Sequence, residues 1–583
     1  MRRSSTLSKL KLHGVSALAL GCALGLSACA TAPAHPTPAK AVAVQPPVDV
    51  HSPYGLFVAG EAALNDDSAQ AAADYFVDAG HEDVEPLIGQ KAFLAAIAAG
   101  DIDRAAALTS GIDDSSAGMA RLSQLVRAVS ALAAGRNKDA YLAMAKEPDG
   151  FAYVGGYQLI KPWVELAGGD NAHAATLPDT QGQRLNRMAA VLSRSLIDER
   201  LHRYDEAEAG YKVLVGSAQL GTFYVQPYGA YLERRGRGKD AEALYRKFLA
   251  RTPGDRGLKD AIARVEARKP APPMPTLKEG AGGALISAAE LALVEKAVDE
   301  GEIYLQMGLK LDPTNDSAWL LLGDLRASAG RNVEAREDYA RISPDAPSAL
   351  EARERIITTY ENTGDDDTAL TLARDLVKAA PDQRDTQLVL ADALRDKGQY
   401  QDSAKILSAV IDADPANAGW TLYFLRGTAL SESGDWPDAE ADLLKALSLK
   451  PDQPDVLNYL GYTWVEKGER LQQAMAMLLK AANAEPESGE IADSLGWAYY
   501  HLGDYHAAVL NLERAVTFNA VRPEINDHLG DAYWQVGRRA EAQFQWRRVL
   551  SLQPTAELKA SAEKKLSSGL DAPAPRPAAI AQG

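Results

Sequence analysis

Cysteine is nearly absent from this 583-residue chain, whose only two cysteines are Cys22 and Cys29. Two thiols near the N-terminus can form neither a disulfide framework nor a four-cysteine zinc site. Positive charge is also scarce, because 62 Lys and Arg face 79 Asp and Glu, for a formal net charge of -17. The excess of carboxylates argues against nucleic acid as a partner and against an anionic membrane surface as the main one.

Sequence motifs for catalysis are missing as well. The chain has no phosphate-binding loop, no nucleophile elbow and no His-Glu-x-x-His, and its nine histidines are scattered. We therefore predict no catalytic residue, no metal site and no cofactor, and we expect a chain that is not an enzyme. A hydrophobic content of 46% with 24% charged residues is nevertheless that of a globular protein.

The N-terminus has the pattern of an export signal. Basic residues at Arg2 and Arg3 precede an apolar stretch from Val15 to Leu26, which is too short to span a membrane as a mature helix. The run Leu-Ser-Ala-Cys that ends at Cys29 resembles a bacterial lipobox, which implies cleavage before Cys29 and acylation of its thiol. An ordinary secretory signal with a chance cysteine is the alternative.

One skeleton of small and large residues recurs about every 34 residues along the C-terminal half. In residues 490–522 it consists of the pair Leu495-Gly496, a turn at Gly503, and Ala508 and Leu512 at helical spacing. Seven such units are recognisable between Asp316 and Thr555. This is the signature of the tetratricopeptide repeat (TPR), so we predict an all-α fold, a TPR superhelical solenoid of stacked helix pairs.

The repeats and the segments between them predict a domain organisation. Residues 50–267 carry a degenerate TPR-like array, irregular over 150–185, and a stretch of Pro and Gly interrupts the pattern after it. The predicted segments are a lipoprotein signal peptide (1–28), an Ala/Pro-rich tether (29–49), the degenerate array (50–267), a Pro/Gly linker (268–283), a C-terminal TPR array with a capping helix (284–570) and a disordered tail (571–583).

Certain positions on the first helix of each repeat point toward the concave side of a TPR solenoid. Aromatic residues alternate with aspartates there, which suits an extended peptide with apolar side chains and some positive charge. The candidate groove residues are Phe424, Asn458, Tyr462, Asp493, Trp497, Tyr500, Asp527, Asp531 and Trp534. The alternative is that the tryptophans are core residues and the aspartates are solvated or cap helices.

The stretch from Trp319 to Leu550, together with the lipobox, resembles a family of long TPR lipoproteins of Gram-negative bacteria. One branch of that family is the outer-membrane lipoprotein that binds a carboxyl-terminal processing protease and helps it degrade cell-wall hydrolases. The resemblance implies a non-enzymatic scaffold, anchored through Cys29 and facing the periplasm, with proteins or extended peptides as partners. Ala30 is not the aspartate that retains enterobacterial lipoproteins in the inner membrane, which favours the outer membrane. The alternative function is a component of a secretion, polysaccharide-export or pilus assembly machine.

Overall fold

A computed structural model describes residues 52–65, 68–80, 86–110, 112, 116–146, 148, 150, 152–178, 184–217 and 224–570. The predicted signal peptide, Cys29, the tether and the tail lie outside these residues. Within them the regular structure is helical and contains no β-strand, with a 3-10 turn at Pro415–Asn417. The prediction of an all-α fold is confirmed.

The helices are grouped into two compact units, the N-terminal unit within residues 29–364 and the C-terminal unit within residues 365–583. The helices of the N-terminal unit are α1 Pro53–Asn65, α2 Ala69–Ala79, α3 Pro86–Ala98, α4 Ile102–Ala107, α5 Ala117–Ala133, α6 Asn137–Ala143, α7 Val154–Gly168, α8 Asn171–Ala174, α9 Arg184–Arg200, α10 Tyr204–Val215, α11 Val225–Arg234, α12 Gly238–Leu249, α13 Arg256–Glu266, α14 Leu277–Val294, α15 Val298–Leu311, α16 Asp316–Ser328, α17 Asn332–Tyr339 and α18 Ala349–Asn362.

The C-terminal unit consists of α19, five consecutive helical hairpins and one final helix. Its helices are α19 Asp366–Ala379, α20 Arg384–Asp396, α21 Tyr400–Ala413, α22 Trp420–Glu432, α23 Trp436–Leu449, α24 Pro454–Lys467, α25 Leu471–Ala484, α26 Gly489–His501, α27 Tyr505–Phe518, α28 Pro523–Gln535, α29 Arg539–Ser551 and α30 Ala556–Ser568.

The hairpin of α26 and α27 shows how the repeat folds locally. The side chains of Ser488 and Asp504 cap the two helices by accepting hydrogen bonds from backbone N–H groups in the first turn. Gly503 makes the turn between them at φ +76°, a left-handed conformation that costs glycine little. Gly496 lies against Leu512 where the two helices cross, so the absence of a side chain lets them approach closely.

The structure corrects the linker prediction for residues 277–283, which form the first turns of α14. Thr276 begins this helix with a capping box, in which Thr276 Oγ1 accepts from the Glu279 N–H at 3.2 Å and Glu279 Oε2 accepts from the Thr276 N–H at 2.7 Å. Gly280 is buried directly against the indole of Trp163 on α7. A run of small residues therefore marks a close helix contact here.

Helix α14 also joins parts of the chain that the sequence assigned to different arrays. It packs against α7 and α9, and α15 packs against α3 and α5. Helices from both sides of the proline-rich segment consequently contribute to one hydrophobic core in the N-terminal unit. Residues 150–185, where the repeat pattern is irregular, include the 15-residue helix α7.

Candidate protein-binding groove

The C-terminal unit contains a cavity of about 1380 Å³, which we call the groove. Side chains on α22, α24, α26 and α28, the first helices of successive hairpins, line most of its surface. The turn between α20 and α21 and the first turns of α30 complete the lining. Most of the groove is therefore built from the first helix of each of four successive hairpins.

Four of the predicted residues line the groove, namely Phe424, Asn458, Tyr462 and Asp493. Phe424 packs edge-on against Tyr459, with ring centroids 6.2 Å apart, and is almost completely buried. Asn458 carries a buried Oδ1 without a hydrogen-bond partner. These residues combine apolar surface with an amide and a carboxylate, which is a suitable surface for a peptide.

Trp497 and Tyr500 do not line the groove, because Trp497 lies in a stack of aromatic rings. The rings of Trp497 and His528 are stacked with their centroids 3.9 Å apart. The Tyr500 ring is also stacked on Trp497, with a centroid distance of 4.6 Å. The indole N–H donates to Glu466 Oε1 at 2.8 Å. This arrangement agrees with the alternative interpretation of Trp497 as a packing residue between repeats.

The structure also corrects the prediction for Asp527, Asp531 and Trp534, because α30 covers them. Lys565 of α30 donates from Nζ to Oδ2 of Asp527 at 2.7 Å and to Oδ2 of Asp531 at 2.8 Å. The Trp534 indole N–H donates to the Leu570 carbonyl at 3.1 Å. The capping helix that the sequence predicts thus occupies the surface that these three residues were expected to offer to a partner.

Sequence reasoning missed a row of carboxylates along the groove. Asp455, Glu490, Glu524 and Glu557 are each the second residue of a helix, in α24, α26, α28 and α30 respectively, and all four line the groove. Their recurrence at one repeat position was the available signal. The Leu-Gly pair lies in the middle of the first helix and gives no indication of the helix N-terminus.

Asp493 and His528 form an ion pair on the groove wall. His528 Nδ1 lies 2.9 Å from Asp493 Oδ1. Burial alone would lower the pKa of His528, but the hydrogen bond to Asp493 and the negative charges of Asp493, Asp527 and Asp531 together raise the pKa above its usual value. This contact joins α26 to α28 beside the stacked rings of Trp497 and His528.

Two other kinds of site were sought in the described residues. No group of three or more His, Cys, Asp and Glu side chains in this part of the chain is arranged to hold a metal ion. No helix there is both long enough and apolar enough to cross a membrane.

Comparison with known proteins identifies the repeat. A family model of the tetratricopeptide repeat matches residues 356–418 and 424–488, and a second one matches residues 490–521. Protein O-mannosyl-transferase TMTC1 of Homo sapiens is 30% identical over 156 residues, which are 27% of this chain and 17% of the human protein. The chain thus spans less than a fifth of the length of that relative.

Two of the solved structures that match this chain have low sequence identity to it. The APC/C hetero-tetramer Cut9-Hcn1 matches with a TM-score of 0.38 and 15% identity over 88% of this chain and 96% of the other. A tetratricopeptide repeat protein of Parabacteroides merdae matches with a TM-score of 0.37 and 13% identity over 43% of this chain and 98% of the other. The family models match within residues 356–521, and these residues form helical hairpins. They are therefore tetratricopeptide repeats in an all-helical TPR fold.

Proposed function

We propose that this chain is a non-enzymatic scaffold that binds protein partners in the groove of its C-terminal unit. The observation that carries the proposal is the cavity of about 1380 Å³ on the first helices of successive repeats. Repeats of this kind present one continuous concave surface, because each hairpin contributes the same face. An extended segment of a partner can then contact several repeats at once.

The proposal extends to location and partners. Acylation of Cys29 would tether the chain to the outer membrane, and the 29–49 segment would hold the helical units in the periplasm. The resemblance to protease-binding TPR lipoproteins supports a role in bringing cell-wall hydrolases to a carboxyl-terminal processing protease. Such an adaptor needs a binding surface and no reactive centre of its own.

An affinity experiment with a matched pair of variants tests the proposal. The full lipidated chain, an Asn458→Arg variant and a Leu510→Arg variant are used to capture partners from detergent extracts of the producing cells, followed by mass spectrometry. Asn458→Arg places a long cationic side chain in the groove. Leu510 is 70% exposed on α27 and does not line the groove, so Leu510→Arg controls for the added charge.

We expect a processing protease or a cell-wall hydrolase to be enriched by the unmodified chain and the control, and lost with Asn458→Arg. Equal capture by all three proteins would show that the groove is not the binding site. Enrichment of an outer-membrane barrel in place of the protease and the hydrolases would favour the export or assembly machine. Circular dichroism of the variants checks that both remain folded.

A further inference from the structure

We infer that the partner segment in the groove is an extended chain with Lys or Arg at about every third residue. The inference rests on the proposed function and deepens it, since it specifies the chemistry of the partner. It follows from two properties of the groove, its surplus of carboxylates and their spacing along the repeats.

The groove carries far more negative than positive side chains. Among its lining residues are three Lys or Arg, which are Lys397, Lys467 and Arg522. The carboxylates number eight, and they are Asp402, Glu432, Asp455, Glu466, Glu490, Asp493, Glu524 and Glu557. A concave surface focuses this field, so the groove attracts cationic segments and repels acidic ones.

The carboxylate row of Asp455, Glu490, Glu524 and Glu557 has a regular spacing. Each carboxylate occupies the same place on its helix, and α26 packs directly against both α24 and α28. Packed helices have axes about 8–10 Å apart, so Asp455, Glu490 and Glu524 should follow one another at a spacing of about 10 Å. Arg522 is the cation of the lining that lies beside this row, with its Nη2 3.7 Å from Glu490 Oε1. The other two, Lys397 and Lys467, lie at the C-terminal ends of α20 and α24.

An extended polypeptide has a matching repeat. Its rise is about 3.1–3.4 Å per residue, so three residues cover about 10 Å. Lys or Arg at every third position would place one cation opposite each carboxylate of the row. The rings of Tyr459 and Tyr462 on α24 add surfaces on which the aliphatic stems of such side chains can pack.

Helix stability alone does not explain the row. A carboxylate in the first turn stabilises its helix through the macrodipole wherever it lies around the helix axis. All four carboxylates of the row nevertheless line the same cavity, together with aromatic rings from α22 and α24. A surface with this combination is complementary to an extended cationic peptide.

Fluorescently labelled synthetic peptides test the inference. The first carries four lysines, one at every third residue, separated by Ala, Ser and Thr. The second has the same composition with its lysines in one block, and the third replaces lysine by glutamate. Their binding to the full chain is measured by anisotropy at low and at physiological salt, because attraction between exposed charges weakens as salt is added.

Two double variants with the same change of charge complete the design. Glu524→Gln with Glu557→Gln removes two carboxylates of the row. Glu469→Gln with Glu563→Gln is the matched control, since both side chains are exposed and neither lines the groove. Thermal unfolding of both proteins checks that the substitutions leave the fold intact.

We expect the spaced-lysine peptide to bind about ten-fold more tightly than the block peptide, and the glutamate peptide not to bind. The row variant should weaken binding of the spaced peptide about five-fold, and the control should leave it unchanged. Equal binding of the two lysine peptides, or equal effects of the two double variants, would overturn the inference. If lysine peptides do not bind while Asn458→Arg still abolishes partner capture, the inference is wrong and the proposed scaffold function stands.

Discussion

Gly496 shows how one residue determines the distance between two helices. A Cβ at this position would lie 2.6 Å from Cγ of Leu512 and 3.2 Å from its backbone nitrogen. We predict that Gly496→Ala lowers the free energy of unfolding by about 1–3 kcal/mol through overpacking. This effect should outweigh the preference of about 1 kcal/mol for alanine over glycine in a helix interior. Urea unfolding followed by circular dichroism measures it.

Gly283 on α14 is the matched control, because no heavy atom lies within 4 Å of a Cβ built there. Gly283→Ala should raise the free energy of unfolding by about 0.5–1 kcal/mol. The same substitution should thus lower the free energy of unfolding at Gly496 and raise it at Gly283. If Gly496→Ala raises the free energy of unfolding, the α26–α27 contact can expand without strain. If Gly283→Ala leaves it unchanged, residues 277–283 are more flexible than a regular helix.

At the level of the secondary-structure element, α30 is held by a buried cation. Lys565 lies between Asp527 and Asp531, and all three side chains are largely excluded from solvent. Trp546 donates its indole N–H to Asp531 Oδ1 at 2.9 Å, which links the same carboxylate to α29. Lys565→Met would leave two carboxylates buried without a counter-charge. We expect a loss of about 3–5 kcal/mol at neutral pH, measured by urea unfolding, and almost none for the exposed Lys559→Met on the same helix.

The same cluster makes stability depend on pH. Burial raises the pKa of Asp531 to about 6, above its usual value of 3.8, although Lys565 opposes the shift. The folded state therefore binds more protons than the unfolded state between about pH 4 and pH 6, so the contribution of Asp531 to stability decreases as the pH rises through this window. The Lys565→Met variant lacks the opposing cation. Its urea unfolding midpoint should therefore rise more steeply on acidification than that of the unmodified chain. Parallel pH profiles for the two proteins would exclude this role of Lys565.

The elements were predictable where local signals and packing agree. The repeats around Gly496 follow from small and large residues at fixed spacing, and the capping helix follows from Leu558, Ala562 and Leu566. The start of α14 was missed because its small residues look like a linker until Trp163 is placed against Gly280. Its capping box, Thr276 with Glu279, was the local signal of a helix start.

The groove was harder to predict than the fold, because its lining depends on contacts between distant parts of the chain. The concave positions were inferred from helical periodicity, and two of them, Asn458 and Tyr462, lie among the residues that line the cavity. Periodicity does not reveal which of those positions another helix covers. The pairing of Asp527 and Asp531 with Lys565 depends on how α30 docks, a contact between residues more than thirty positions apart.

At the scale of the whole molecule, the proposed function depends on the proposed acylation of Cys29. A single acyl chain holds a protein to a bilayer only marginally, whereas two or more make release negligible. If residues 29–49 form the predicted tether, an extended chain of this length would allow a distance of up to about 60 Å from the membrane. With a formal charge of -17, the chain gains little from anionic headgroups, so membrane attachment should depend on the lipid alone.

Cys29 and Cys22 therefore provide a matched test of the anchor. Cys29→Ala should abolish incorporation of an alkyne-labelled fatty acid and move the protein from the membrane fraction to the soluble one. Cys22→Ala should retain the label and the membrane attachment, because Cys22 lies within the predicted signal peptide, which cleavage before Cys29 would remove. If Cys29→Ala keeps the label, another residue is acylated. If both variants and the unmodified chain are soluble and unlabelled, the signal is an ordinary secretory one, and a scaffold bound to its partners in free solution replaces the tethered adaptor.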